Sequence, residues 1–259
     1  MVPATHDTGT GDPVLFLHAF TMDASQWDHQ VAALSEQVRC LRVDIWGCGA
    51  SPPPPDGPPS LAAFAASTLD ALDSLGIDRF AVVGLSMGGY LAFELWRLAP
   101  SRIRALAICN TRATADVEGS RNDRLAMADQ VEHDGSVESI VEPMVVRLLS
   151  PWAREEAHIA DPVRGRIRRC SPAGIAFAQR AIATRPDSTE LLDTIDVPSL
   201  VIAGTQDVIV GPSEVHAIAD RIKDARYAEL DCGHLSNLEM PRPFNDALAG
   251  FLVPAGRVS

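Results

Sequence analysis

With 259 residues, of which 46% are hydrophobic and 22% charged, the chain has enough apolar material for one full core and is too hydrophobic to be disordered. Its formal net charge of −12 is spread along the chain rather than gathered in a tail, which argues against a duplex nucleic acid partner, since that needs a basic face. No window approaches about 18 uninterrupted apolar residues, and residues 1–12 lack a basic start and an apolar run. Neither a membrane span nor a secretory signal is therefore expected, and a soluble cytoplasmic protein is the default.

Five cysteines (Cys40, Cys48, Cys109, Cys170 and Cys232) are an odd number without C-x-x-C spacing, so neither a disulfide framework nor a zinc site is expected. Cys40 and Cys109 lie in apolar runs and read as small core residues. Along the chain, short apolar runs alternate with helical patterns. Residues 14–18, 40–44, 80–84, 103–109, 200–204 and 225–230 read as strands, most of them continuously hydrophobic, as strands covered on both faces must be. Helices are expected over 27–37, 61–75, 87–99, 213–221 and 243–252. This βαβα rhythm implies an α/β fold with a mostly parallel central sheet flanked by helices.

Two stretches interrupt the rhythm. Residues 51–59 (SPPPPDGPP) form a stiff surface loop, because proline fixes φ and lacks an N–H. Residues 112–193 are rich in Arg, Glu and Asp and carry helical patterns without a convincing strand. They are expected to form a helical cap inserted between a first core part, residues 1–111, and a second, residues 194–259.

The apolar run at 80–84 leads straight into Gly84-Leu85-Ser86-Met87-Gly88, and an amphipathic helix pattern follows at once. This is G-x-S-x-G in its required strand–turn–helix context. The sharp turn brings the residues two before and two after the serine together, where only glycine fits. Ser86 then stands at the carboxyl end of a strand with a helix N-terminus beneath it, which favours developing negative charge. The bland alternative is a serine that merely caps the helix; a dinucleotide-binding turn lacks its G-x-G-x-x-G spacing.

A serine nucleophile needs a base, and the base needs an orienting carboxylate. Of seven histidines, His6, His29, His133, His158 and His216 sit in polar or helical contexts, and His18 precedes the serine. His234, just after the last strand pattern, remains. Asp207 follows the penultimate strand pattern and is the candidate acid; Asp231 ends a strand and shapes the loop, and Asn110 lacks a carboxylate. The backbone N–H groups of Met87 and of Phe20, in the loop after 14–18, are the candidate oxyanion donors, each worth about 3–4 kcal/mol in a transition state.

Leu17–Phe20 (LHAF), 43–51 (VDIWGCGAS), 84–89 (GLSMGG), 204–207 (GTQD) and 232–241 (CGHLSNLEMP) together resemble the α/β-hydrolases. More narrowly, they are similar to the small-esterase, 3-oxoadipate enol-lactonase and cofactor-free haloperoxidase (perhydrolase) branch, from about Asp12 to Leu252. The usual His-Gly is here His18-Ala19, the short N-terminus predicts a short or absent edge strand, and Trp46 and Cys48 have no evident role. Dehalogenases and epoxide hydrolases of this fold use an aspartate nucleophile, so Ser86 argues against both.

The resemblance implies acyl transfer on a small, largely apolar ester or lactone by Ser86, His234 and Asp207, with no cofactor and no metal. A thioesterase or amidase, a triad turned to non-hydrolytic chemistry (lyase, perhydrolase or cofactor-free oxygenase) and a non-catalytic receptor are the alternatives. Met144 and Trp152, with Met127 and Leu148, are candidates to line the pocket, the alternative being packing within the cap, and Arg112 is a candidate to meet a substrate carboxylate, the alternative being a surface arginine in an arginine-rich chain. The expected partner is this small-molecule substrate; homo-oligomerisation stays open.

Overall fold

A computed structural model describes residues 1–253; the end of the second core part, residues 254–259, lies outside the described residues. Seven strands form one sheet: β1 (Thr5–Thr8), β2 (Asp12–Leu17), β3 (Val38–Val43), β4 (Phe80–Leu85), β5 (Ile103–Cys109), β6 (Ser199–Gly204) and β7 (Arg226–Leu230). Their order is β1-β3-β2-β4-β5-β6-β7. All neighbours pair in parallel except β1, which runs antiparallel to β3. The N-terminal edge strand is therefore present but short, and its polar THDT sequence suits an edge.

The central strands β4 and β6 are buried at every position, because helices cover both faces of the sheet. Around it lie α1 (Asp28–Leu34), α2 (Leu61–Ser74), α3 (Met87–Leu98), and, after β5, α4 (Glu118–Asp134), α5 (Glu138–Leu148), α6 (Pro151–Glu155), α7 (Ala157–Arg169) and α8 (Pro172–Ala183). The chain then returns to β6 and completes α9 (Pro212–Arg221), α10 (Ser236–Glu239) and α11 (Pro241–Leu252). No α-helix among the described residues is long and apolar enough to cross a membrane.

Local chemistry explains where the elements start. α8 begins at Ser171-Pro172: the serine side chain accepts from Gly174 N at 3.0 Å, and proline occupies the first turn, where its missing N–H costs nothing. The helix expected over 27–37 is shorter. Asp23 accepts from Ser25 N at 3.0 Å and winds Ala24–Trp27 into a 3-10 turn, so the regular helix starts at Asp28, and it ends at Leu34, where Ser35, Glu36 and Gln37 turn into β3 with Gln37 N donating to Leu34 O at 2.9 Å.

The loop after β3 holds two residues that had no reading in the sequence. Trp46 packs edge-on against Phe64 of α2 (5.0 Å) and Phe177 of α8 (5.4 Å). Cys48 is disulfide-bonded to Cys170, at the α7–α8 junction, 122 residues away in sequence. This corrects the expectation that the cysteines form no disulfide: Cys40, Cys109 and Cys232 are free and buried, but the other two staple this loop to the helices that follow β5.

Candidate active site

Every residue of the predicted constellation leaves the carboxyl edge of the sheet. β4 ends at Leu85, and Ser86 stands between strand and helix at φ 58°, ψ −113°, a left-handed conformation that a serine adopts only under constraint. Its N–H donates to Cys109 O (2.9 Å), and its carbonyl accepts from the Thr111 hydroxyl (2.8 Å), so the turn is tied to the end of β5. The flanking glycines are required by contact. A Cβ on Gly84 would lie 2.3 Å from Gly88 O, and one on Gly88 would lie 2.0 Å from Leu17 O. The elbow is thus pressed against β2 as well as against itself.

His234 and Asp207 meet on the loops after β7 and β6. The His234 Nδ1–H donates to Asp207 Oδ2 at 2.7 Å, with both side chains almost fully buried. The other carboxylate oxygen accepts from Ile209 N (2.8 Å) and Val210 N (3.0 Å), and Oδ2 also accepts from Asn110 Nδ2 (3.0 Å). Burial pushes the Asp207 carboxyl up, but His234, the backbone N–H groups and Asn110 together outweigh it and hold the carboxyl below its usual range. An ionised Asp207 accepts only, so the Nδ1 proton stays on His234 and leaves Nε2 as the free basic nitrogen. Asp231 lies elsewhere: it accepts from Thr205 and Gln206 at the surface.

The loop after β2 carries Phe20. His18 Nδ1–H donates to Ala19 O (2.8 Å) and His18 Nε2 accepts from Ile45 N (2.9 Å), while Met22 N also donates to Ala19 O (3.1 Å). Thr21 completes the turn at φ 64°. Among the described residues no acceptor meets the N–H of Phe20 or of Met87, the first residue of α3.

Phe20, Ser86, Met87 and His234 line one cavity. Its roof comes from the helices after β5, through Arg124 and Met127 of α4, Met144, Arg147 and Leu148 of α5, and Gln179 and Ile182 of α8. Met144 is therefore in the wall. Trp152 is not among the lining residues and is partly exposed on α6.

Arg112 is not there either. Its guanidinium donates to Ile209 O and pairs with Glu214 at 3.4 Å, beside a separate cavity at α9. The cations at the site are Arg124 and Arg147, which sequence position alone did not single out. Arg124 donates to Asp116 (2.5 Å) and Gln179 (3.1 Å), and Asp116 also takes Arg185 (2.8 Å). Burial raises the Asp116 carboxyl, yet the two arginines win and hold it below its usual range.

Glu239, quoted only as part of a motif, is a second buried carboxylate against the loop of His234. It accepts from Gly233 N (3.0 Å) and the Ser150 hydroxyl (2.5 Å), and burial leaves its carboxyl raised in spite of both. His234 N and Leu235 N both donate to Leu148 O (3.1 and 3.2 Å), so the loop of His234 is fastened to the end of α5.

The geometry agrees with known proteins. The model of the alpha/beta hydrolase family matches residues 14–247. The chain is 28% identical over 239 residues to 3-oxoadipate enol-lactonase 1 of Acinetobacter baylyi, covering 92% of this chain and 88% of the relative. Among solved structures, a thermophilic esterase from Thermogutta terrifontis (malate bound) superimposes with a TM-score of 0.92 at 34% identity, covering 96% of this chain and 92% of that one. The enol-lactonase from Burkholderia xenovorans does so with a TM-score of 0.88 at 30% identity, over 96% and 95%. With a strained serine between strand and helix, a parallel sheet behind it and the match running through nearly the whole chain, the protein belongs to the alpha/beta hydrolase family.

Proposed function

We propose that the chain hydrolyses a small carboxylic ester or lactone, with Ser86 as nucleophile, His234 as base and Asp207 as its orienting acid. One observation carries the reading: a serine at a strained elbow shares a cavity with a histidine whose far nitrogen is already committed to a buried carboxylate. The esterase and enol-lactonase names of the relatives support the same bond type.

In the reaction Ser86 Oγ attacks the carbonyl carbon while His234 Nε2 takes its proton. The oxyanion accepts from the N–H groups of Phe20 and Met87, which have no other acceptor among the described residues. The acyl C–O bond breaks, and His234 returns the proton to the leaving alkoxide. Water then attacks the acyl-enzyme with His234 again as base, releasing the acid and restoring Ser86. Asp207 holds the imidazole in the required tautomer and balances its charge.

The helices between β5 and β6 act as the cap that sets substrate size. Their contribution to the wall includes two guanidiniums and no carboxylate, in a chain with a net charge of −12. The substrate that suits this wall is an ester or lactone bearing a carboxylate at the cap end, with Arg124 and Arg147 in the place first expected of Arg112. Ser86→Ala assayed on panels of aryl esters, lactones, thioesters and amides tests the whole reading. Loss of all turnover with an unchanged Tm is expected; retained ester turnover overturns it.

A further inference from the structure

A buried chain of hydrogen bonds runs from Asp207 to the loop that carries Phe20, by way of α10. Asp207 Oδ2 accepts from Asn110 Nδ2 (3.0 Å), and Asn110 Oδ1 accepts from the Ser236 hydroxyl (2.6 Å). Ser236 opens α10, and its neighbour Asn237 continues the path: Asn237 Oδ1 accepts from Gln26 Nε2 (3.1 Å), and Gln26 Oε1 accepts from Ala19 N (2.9 Å). Asn237 Nδ2 closes the arrangement by donating to Gln26 O (2.8 Å) and Gln30 Oε1 (3.0 Å).

Each amide has only one orientation available. The Ala19 N–H is a fixed donor, so Gln26 must present oxygen to it and nitrogen to Asn237. Asn237 must then present oxygen to Gln26 and nitrogen to two carbonyl oxygens. At the other end the Asp207 carboxylate fixes Asn110 in the same way. Gln26, Gln30, Asn237 and Ser236 are fully buried, so bulk water is not at hand to replace a missing bond.

The chain ends on the peptide that matters for the oxyanion. Ala19 C=O and Phe20 N–H belong to one planar unit and point in opposite directions. Ala19 is held at its N–H by Gln26 and at its carbonyl by Met22 N and His18 Nδ1. Fixing both ends of Ala19 fixes where the Phe20 N–H points.

We propose that Gln26 and Asn237 are positioning residues, which set the oxyanion loop relative to the acid–base pair through α10. The proposal rests on the Ser86–His234–Asp207 reading. An oxyanion donor displaced by about 1 Å loses much of its worth, and misplacement on that scale costs up to roughly 100-fold in rate.

The test is Gln26→Met, of similar length and without an amide, assayed with 4-nitrophenyl butyrate and with a fluorophosphonate probe of Ser86. For the folded fraction, kcat is expected to fall roughly 10- to 100-fold with KM within about twofold, and the phosphonylation rate to fall with kcat. Asn245→Ala is the structural control. It removes the Gln30 Nε2–Asn245 bond (2.8 Å) at the outer end, and should lower Tm while leaving kcat unchanged. Asn237→Ser gives the same readout should Gln26→Met not fold, and where both fold the double variant should lose no more kcat than the worse single one. Wild-type kcat in folded Gln26→Met or Asn237→Ser overturns the proposal, as does an equal kcat loss in Asn245→Ala. If Ser86→Ala is inactive and Gln26→Met is not impaired, this proposal falls and the proposed function stands; turnover by Ser86→Ala removes both.

Discussion

Asp207→Asn isolates the role of one proton. In the wild type, Asp207 Oδ1 takes Ile209 N and Val210 N, and Oδ2 takes His234 Nδ1 and Asn110 Nδ2. An asparagine keeps its oxygen on the two backbone donors, which forces its NH2 into the place of Oδ2. Asn110 can adapt by turning over its amide, since the Ser236 hydroxyl both donates and accepts. His234 adapts only by moving its proton to Nε2, where it can no longer accept from Ser86.

The expected loss in kcat is about 10⁴-fold, or about 5 kcal/mol of barrier, the consequence of the wrong tautomer in a serine–histidine–aspartate site. Stability should fall by much less, about 1–3 kcal/mol, because the backbone bonds survive. The pH dependence carries the sign of the shift. Asp207 is held below its usual range, so its contribution to stability is present above about pH 4 and is lost as pH falls through its folded pKa. The stability gap between wild type and Asp207→Asn should therefore narrow below about pH 4. Steady-state kinetics with an aryl ester and thermal melts from about pH 3 to about pH 7 read both. A variant within tenfold of wild-type kcat would refute the tautomer argument, and a constant stability gap would refute the ionised Asp207.

Two further outcomes follow from the cap. Arg147 is exposed at the cavity wall and has no carboxylate partner among the described residues, so Arg147→Gln should raise KM for a 4-nitrophenyl hemisuccinate about two- to fivefold, the yield of one solvated ion pair, and leave the neutral butyrate ester unchanged. An unaltered preference between the two esters would argue against an anionic substrate. Loss of the Cys48–Cys170 bond, which spans 122 residues, frees a long loop in the unfolded chain, and the chain-entropy cost of up to about 5 kcal/mol makes Cys48→Ala melt roughly 10 °C lower; a Tm within about 1 °C of wild type would show that the bond contributes nothing.

The fold is legible where its physics is local. β4 and β6 are continuously apolar because helices cover both faces, and the apolar run of β5 marks both of its ends. The shortfall at 27–37 has two ends: Asp23 draws Trp27 into the 3-10 segment Ala24–Trp27, and Ser35, Glu36 and Gln37 form the turn into β3, neither of which hydrophobic periodicity registers. The disulfide is invisible for the opposite reason. Cysteine spacing reports frameworks and metal sites, whereas Cys48 and Cys170 meet only because Gly47 lies against Ser171 and Gly174, with Ser171 N donating to Gly47 O at 2.7 Å.

The candidate site divides along the same line. Ser86, Asp207 and His234 sit just after strands, so knowing the carboxyl edge is enough to collect them, and Gly84 and Gly88 announce the close approach that the elbow demands. Arg112 also follows a strand, yet it belongs to another cavity. A position after a strand gives the edge but not the direction of a long side chain, and Glu214 with the Ile209 carbonyl draws this one towards α9. The cations that do reach the cavity come from α4 and α5, whose placement is decided by how the helices after β5 pack on one another, and no period within either helix encodes that. Gln26 and Asn237 mark the sharpest limit. Single polar residues carry no signal of burial in a sequence, and only their mutual burial, 211 residues apart, turns two amides into a path between the loop of His234 and the loop of Phe20.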